Sequence, residues 1–130
     1  MRRRRSALLL AVAALVAGCT LPNPTRMEFL DDLPEARLAE IDALPEILAT
    51  RLGSVRHEVL GDVAGVSCRR TWKGTPPGWE DALRRTKFRA IQAGGNAFTH
   101  LNCELPKGRS LTTLCLESIR CTARAIRLLD

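Results

Sequence analysis

The sequence predicts an α+β protein: a small antiparallel sheet with one main helix, tied by two disulfides and set behind an N-terminal tether. Three observations predict it. One long stretch, Trp79 to Ala93, keeps an uninterrupted helical period and lies between runs that alternate as strands do. Four cysteines, Cys68, Cys103, Cys115 and Cys121, are spread across the same part of the chain. A basic and then apolar leader directs the chain to a compartment in which they oxidise.

The leader sets the rest in place. Arg2 to Arg5 form a basic region, Ala7 to Ala17 an apolar run without charge or helix breaker, and Val16-Ala17-Gly18-Cys19 closes it. Residues 1 to 18 read as a signal peptide, and the apolar run is too short to span a bilayer comfortably. The cysteine after the small pair Ala17-Gly18 resembles the lipobox of bacterial lipoproteins, in which the thiol takes a diacylglycerol and becomes the new amino terminus. That resemblance implies lipidation, including palmitate, at Cys19. Thr20 stands where an aspartate would signal retention in the inner membrane, which implies the outer membrane.

Cleavage leaves 112 of the 130 residues, room for one small domain and a tether. The formal net charge of +6 overstates the basic character, because the four leader arginines leave with the signal and the remaining charge is +2. Nothing in that balance calls for nucleic acid. Charge is split along the chain: Met27 to Thr50 carries seven acids against Arg37, and Arg51 to Asp130 carries 14 basic and seven acidic residues. The two parts are electrostatically complementary, although a solvated acidic face accounts for the first equally well.

Taken in order, residues 19 to 26 form the tether, extended by Pro22 and Pro24. Residues 27 to 54 are an acidic, helix-prone segment with apolar residues every three or four positions, broken by Pro34 and Pro45. Two short helical pieces, or a helix and a turn, are expected, and their apolar face packs either on the chain's own domain or on another envelope protein.

Residues 55 to 130 form the compact domain. Val55 to Gly65 reads as its first strand. Arg69 to Gly78 is a loop, with Arg69, Arg70 and Lys73 around Trp72 and turn formers at Gly74, Pro76, Pro77 and Gly78. Basic residues around a tryptophan suit an anionic glycan, a lipopolysaccharide phosphate or an acidic protein; a ring folded over the domain's own edge is the plainer account.

In the helix, Trp79, Ala82, Leu83, Thr86, Ala90, Ile91 and Ala93 share the inner face. Phe88 falls among arginines on the outer side, either under the acidic segment or in a contact surface. Gly94-Gly95 ends the helix. Asn96 to Glu104 alternates, with Ala97, Thr99, Leu101 and Cys103 on one face and Phe98, His100 and Asn102 on the other. Pro106-Lys107-Gly108 makes a turn, and Leu111 to Leu116 and Glu117 to Leu128 return as a strand hairpin.

Three pairings of the four cysteines are conceivable. With Cys115 and Cys121 on one strand, about 20 Å would separate them at roughly 3.3 Å per residue, beyond the reach of a disulfide. Two pairings stay open: Cys68 with Cys115 and Cys103 with Cys121, or Cys68 with Cys121 and Cys103 with Cys115. A zinc site is the rival use of four cysteines, but there is no C-x-x-C pair. His57 and His100, with Glu58, Asp62 and Glu104 as acids or bases, form no recognisable catalytic motif, so neither enzyme activity nor a cofactor is expected.

Leu60-Gly61-Asp62-Val63-Ala64-Gly65 before Cys68, the alanine-bearing helix ending in Gly95-Asn96-Ala97, His100-Leu101-Asn102-Cys103-Glu104 and the Cys115 to Cys121 spacing together resemble the RcsF family over residues 58 to 126. That resemblance implies first-to-third and second-to-fourth disulfides, here Cys68–Cys115 and Cys103–Cys121. It also implies an outer-membrane lipoprotein, embedded through the lipid on Cys19, that associates with outer-membrane β-barrel proteins. By the same resemblance, under envelope stress the folded domain would contact an inner-membrane regulator of IgaA type and release the Rcs phosphorelay; the residues themselves offer a contact surface at Arg69, Arg70, Trp72, Lys73 and Phe88. The chain departs from the family's proline-rich basic tether, since residues 27 to 50 are acidic and helix-prone. The alternative is a structural or ligand-binding envelope lipoprotein contacting peptidoglycan or lipopolysaccharide.

Overall fold

The computed structural model of the chain describes residues 30–109 and 114–130. The lipobox, Cys19 and the tether lie outside them. The fold is α+β: a three-stranded antiparallel sheet with helices on it and two disulfides. Strands β1 (His57–Arg69), β2 (Ala97–Cys103) and β3 (Glu117–Leu128) stand in the order β1-β3-β2. Helix α1 (Glu35–Asp42) precedes β1, and helix α2 (Trp79–Gln92) connects β1 to β2.

The central strand β3 pairs with β1 from His57↔Leu128 to Arg69↔Glu117 and with β2 from Ala97↔Ile126 to Cys103↔Cys121. This pairing corrects two expectations. β1 does not stop at Gly65, because β3 offers partners as far as Arg69. The expected hairpin is not formed: Leu114 and Leu116 lie outside any strand, and Leu116 donates its N–H to the Arg69 carbonyl at the end of β1 (2.7 Å). Once Cys115 is bonded to Cys68, this stretch belongs to the end of β1 and cannot run back along β3. Leu111 to Thr113 lie outside the described residues.

Helix α2 follows its sequence pattern. Ala82, Thr86 and Ala90, at i, i+4 and i+8, are fully buried. Gly94 takes a positive φ of 88°, and the N–H groups of Gly94 and Gly95 bond back to Ile91 and Ala90, which ends the helix. Trp79 departs from the expected inner face and is 57% exposed. It opens the helix beside the end of β1, with the Gly78 N–H bonded to Ser67 Oγ (3.1 Å).

Helix and sheet meet without bulky side chains between them. A Cβ on Gly65 would clash with the Thr86 backbone nitrogen and stand 2.5 Å from the Ala82 carbonyl oxygen. The Thr86 hydroxyl donates to the Ala82 carbonyl (2.8 Å) and also lies 3.2 Å from the Cys121 carbonyl of β3. The core on either side is small: Leu44, Ala90, Phe98, Ala123 and Ala125 in one cluster, Ala82, Ile119 and Cys121 in the other.

Strand β2 breaks the expected alternation. His100 sits at φ 53°, and the register with β3 shifts between Thr99 and Asn102. One extra residue reverses the parity of everything after it. Leu101, expected opposite Phe98, therefore packs on the same helix-side cluster as Phe98. Thr99 is left fully buried, with a hydroxyl that has no partner among the described residues.

The acidic segment packs onto this unit. Pro34 and Pro45 bound α1 and the turn after it, as proline's missing N–H requires, and Leu30, Ile41 and Leu44 are buried. Arg84 grips both carboxylate oxygens of Asp42 (2.8 and 2.9 Å), and Lys87 donates to the Asp42 carbonyl (3.0 Å). Residues 45–47 then lie parallel along the outer edge of β2: Phe98 donates to the Pro45 carbonyl (3.1 Å) and accepts from the Ile47 N–H (2.8 Å). This covers an edge that would otherwise present unpaired backbone groups.

Two substitutions test this packing. Gly65→Ala is expected to cost about 3 kcal/mol in chemical denaturation, because backbone rather than a flexible side chain must yield. Thr99→Val is expected to stabilise the fold by about 1 kcal/mol, by removing a buried hydroxyl that makes no hydrogen bond.

Candidate functional site

The disulfides converge on one end of the sheet. Cys103 and Cys121 are register partners on adjacent strands, so their Cα atoms stand 4.0 Å apart and the bond joins β2 directly to β3. Cys68, next to last in β1, is bonded to Cys115. The bonds interleave along the chain, first to third and second to fourth. They hold the described stretches 70–78, 104–109 and 114–116 at the end where Arg69 faces Glu117.

Arg69 organises the first loop. Its guanidinium donates to the carbonyls of Thr71 (3.2 Å) and Trp72 (2.6 Å) and lies 3.5 Å from the Glu117 carboxylate. A side chain so engaged, and largely covered, shapes the loop and offers little to a partner. The loop it shapes turns Trp72 outward, 70% exposed, so the ring does not fold over the domain's own edge. Arg70 and Lys73 are exposed beside it.

Three further residues join Trp72 at this end. Trp79 is 57% exposed, and its carbonyl lies 3.9 Å from Cys121 Sγ. Leu105 follows Glu104, whose N–H bonds to the Arg120 carbonyl, and Leu114 precedes Cys115. Leu105 and Leu114 are 85% and 77% exposed, and Leu114 holds a positive φ of 57°. A β-branched or bulky residue rarely adopts that conformation unless its surroundings impose it. Arg70 and Lys73, beside Trp72 in the chain, and Lys107 and Arg109, just after Leu105, are exposed. Lys107 bonds to Glu104 (3.0 Å) and, with the field of Arg120, holds that carboxyl below its ordinary value against slight desolvation.

Sequence reasoning placed Trp72, Arg70 and Lys73 in a contact surface but missed the other apolar members. Helical spacing predicts Trp79 in the core, and the apolar run from Leu111 to Leu116 predicts Leu114 in a strand. An uncompensated leucine between Glu104 and Pro106 was the one available signal for Leu105. The structure does not bring Phe88 into this group. Phe88 lies nine residues along α2 from Trp79, about 13 Å at 1.5 Å per residue, and is half-buried.

The candidate acids and bases are dispersed. His57 bonds through Nδ1 to the Val55 carbonyl (2.8 Å) at the start of β1, Glu58 pairs with Arg127 (3.2 Å) and Glu104 with Lys107. Asp62 and His100 alone share a surface, a groove on the sheet face opposite α2. Among the described residues no group of three or more His, Cys, Asp or Glu could hold a metal ion, and no helix is long and apolar enough to cross a membrane. In comparisons with known proteins, no family model and no curated protein matches the chain.

The two disulfides close stretches of 47 and 18 residues. In the chain-entropy account these are worth about 4 and about 3 kcal/mol respectively, comparable with the net stability of a small domain. Reduction is expected to unfold the domain, and Cys68→Ala with Cys115→Ala to cost more than Cys103→Ala with Cys121→Ala. Circular dichroism melts in oxidised and reduced form check both; an unchanged melting temperature on reduction would contradict the role assigned to the bonds.

Proposed function

We propose that the chain is an envelope lipoprotein that signals by protein contact, anchored to the outer membrane through lipid on Cys19, with the disulfide-tied end as its contact surface. The observation that carries this reading is the exposure of Trp72, Trp79, Leu105 and Leu114 together, among Arg70, Lys73 and Arg109. Large apolar groups gathered on one end of a small domain and rimmed by charge have the composition of an interface core. The pinned loops present them in one arrangement, which lowers the ordering cost of association.

The interleaved disulfides and the sequence likeness to the RcsF family support the particular form of signalling. In that form the domain contacts outer-membrane β-barrel proteins at rest and an inner-membrane regulator of IgaA type under envelope stress, and so releases an Rcs-type phosphorelay. The reaction is association alone, with no bond made or broken by this chain and no cofactor. Leu30, where the described part begins, lies eleven residue steps from Cys19, so the tether reaches at most about 40 Å at 3.6 Å per residue. The partner must therefore come to the anchored domain, because the described part of the acidic segment is packed on α2 and the edge of β2 and does not lengthen the tether.

One observation favours a second reading, a structural or ligand-binding lipoprotein contacting peptidoglycan or lipopolysaccharide. Trp72 beside Arg70 and Lys73 pairs a flat ring with cations, as binding of an anionic glycan would use. A photoreactive residue at Trp72 or at Leu114, in native cells with and without envelope damage, separates the two. A barrel protein captured at rest and an inner-membrane protein captured after damage are the expected products. Capture of glycan or lipopolysaccharide alone, unchanged by damage, would replace the signalling reading with the second.

A further inference from the structure

We propose that the sheet face opposite α2 carries a binding groove for a small anionic ligand bearing phosphate or carboxylate groups, held by Arg120 and Arg124. The groove lies away from the Trp72 end and does not depend on the function proposed for that end. It is an open groove of about 430 Å³ lined by Asp62, Ala64, His100, Arg120, Thr122 and Arg124, among others.

The register of the sheet builds it in three rows. Val66 pairs with Arg120, Ala64 with Thr122 and Asn102, and Asp62 with Arg124 and Thr99. Register partners project to the same face, so the central row is floored by the short side chains of Ala64 and Thr122 while an arginine rises on either side of it. Four strand steps separate the two arginine Cα atoms, about 13 Å, and both side chains line the groove.

Both neighbouring strands are distorted at this place. β1 shifts register between Val59 and Gly61, immediately before Asp62, and β2 between Thr99 and Asn102, with His100 held at φ 53°. Bulges re-aim side chains and gather beside binding sites, and a non-glycine residue in the left-handed region is a conformation the surroundings must sustain. The β2 shift lies opposite Thr122 to Arg124 and sets His100 on the groove, and the β1 shift lies opposite Ala125 and Ile126, just beyond Arg124.

The charges are only partly spent. Arg124 uses Nε on Asp62 (3.0 Å), and no partner stands at its terminal nitrogens among the described residues. The Arg120 side chain makes no hydrogen bond or ion pair among the described residues, although it lies in the field of Glu104. A guanidinium presents its N–H groups as a planar fork that matches carboxylate and phosphate oxygens. Asp62 is the single carboxylate in the groove, and it opposes an anion.

The test is a titration of the oxidised full chain, followed by amide shifts in two-dimensional NMR at constant ionic strength, with pyrophosphate and separately with glutarate. Saturable shifts confined to His100, Thr122, Ala123 and Arg124 are expected for one probe or both. Response to pyrophosphate alone names a phosphate ligand, and response to glutarate alone a carboxylate. Arg120→Ala, at a side chain with no structural partner, is expected to weaken binding about tenfold. Asp62→Asn is expected to tighten it about threefold, and Arg89→Ala on α2 to leave it unchanged. The absence of saturable shifts with both probes, or equal binding by wild type and Arg120→Ala, overturns the proposal.

Discussion

The close approach of α2 to the sheet at Gly65 governs this structure. Backbone meets backbone there, with Ala82, Thr86 and Ala90 facing the strands and a threonine hydroxyl joining the helix to a carbonyl of β3. Small side chains permit that distance, and they also limit what it can bury. Apolar burial stabilises in proportion to area, at about 25 cal/mol per Å², so an interface of alanines contributes far less than one of leucines. The domain compensates by other means, and most of its remaining features follow from that need.

The disulfides are one such means and the acidic segment another. Leu30, Ile41 and Leu44 add buried larger aliphatic side chains to the partly buried Leu83 and Ile91 of α2, and residues 45–47 cover the outer edge of β2. The charge split seen in the sequence has its counterpart at Asp42, where Arg84 and Lys87 converge. The Arg84–Asp42 ion pair is exposed and weak; with the Lys87 bond to the Asp42 carbonyl it orients the segment, while burial of Ile41 and Leu44 holds it. A domain taken to begin at residue 55 would lack part of its own core, because Leu44 belongs to the main cluster.

Concentrating the covalent links at one end divides the surface. At that end the loops are held by sulfur bonds and by Arg69, so they need not bury their own apolar residues, and Trp72, Leu105 and Leu114 stand in solvent. The sheet face opposite α2 is polar over its lower rows, with arginines on a strand that also supplies the inner core. One strand, β3, thus serves both surfaces by strict alternation from Ile119 to Ala125. A contact surface and a polar groove can coexist in so small a domain because different faces and ends of one sheet carry them.

Local chemistry was legible in the sequence. Pro34 and Pro45 bounded a helix because proline lacks an N–H, Gly94 ended another because it accepts a positive φ, and the periodicity of residues 79 to 93 marked the helix face. The number and setting of the cysteines indicated two disulfides, and likeness to a known family, rather than spacing, indicated which. Tertiary structure alone decided what depends on distant partners. β1 runs to Arg69 because β3 lies beside it, and Leu101 changes face because of one extra residue at His100. Trp79 is exposed because the helix begins at the end of a strand, and Arg120, Arg124, Asp62 and His100 meet because three strands share a register. Helix caps and breaks act within a few residues, so a sequence can state them; sheet order, bulges and exposure are set by segments dozens of residues apart, and only the folded chain brings those together.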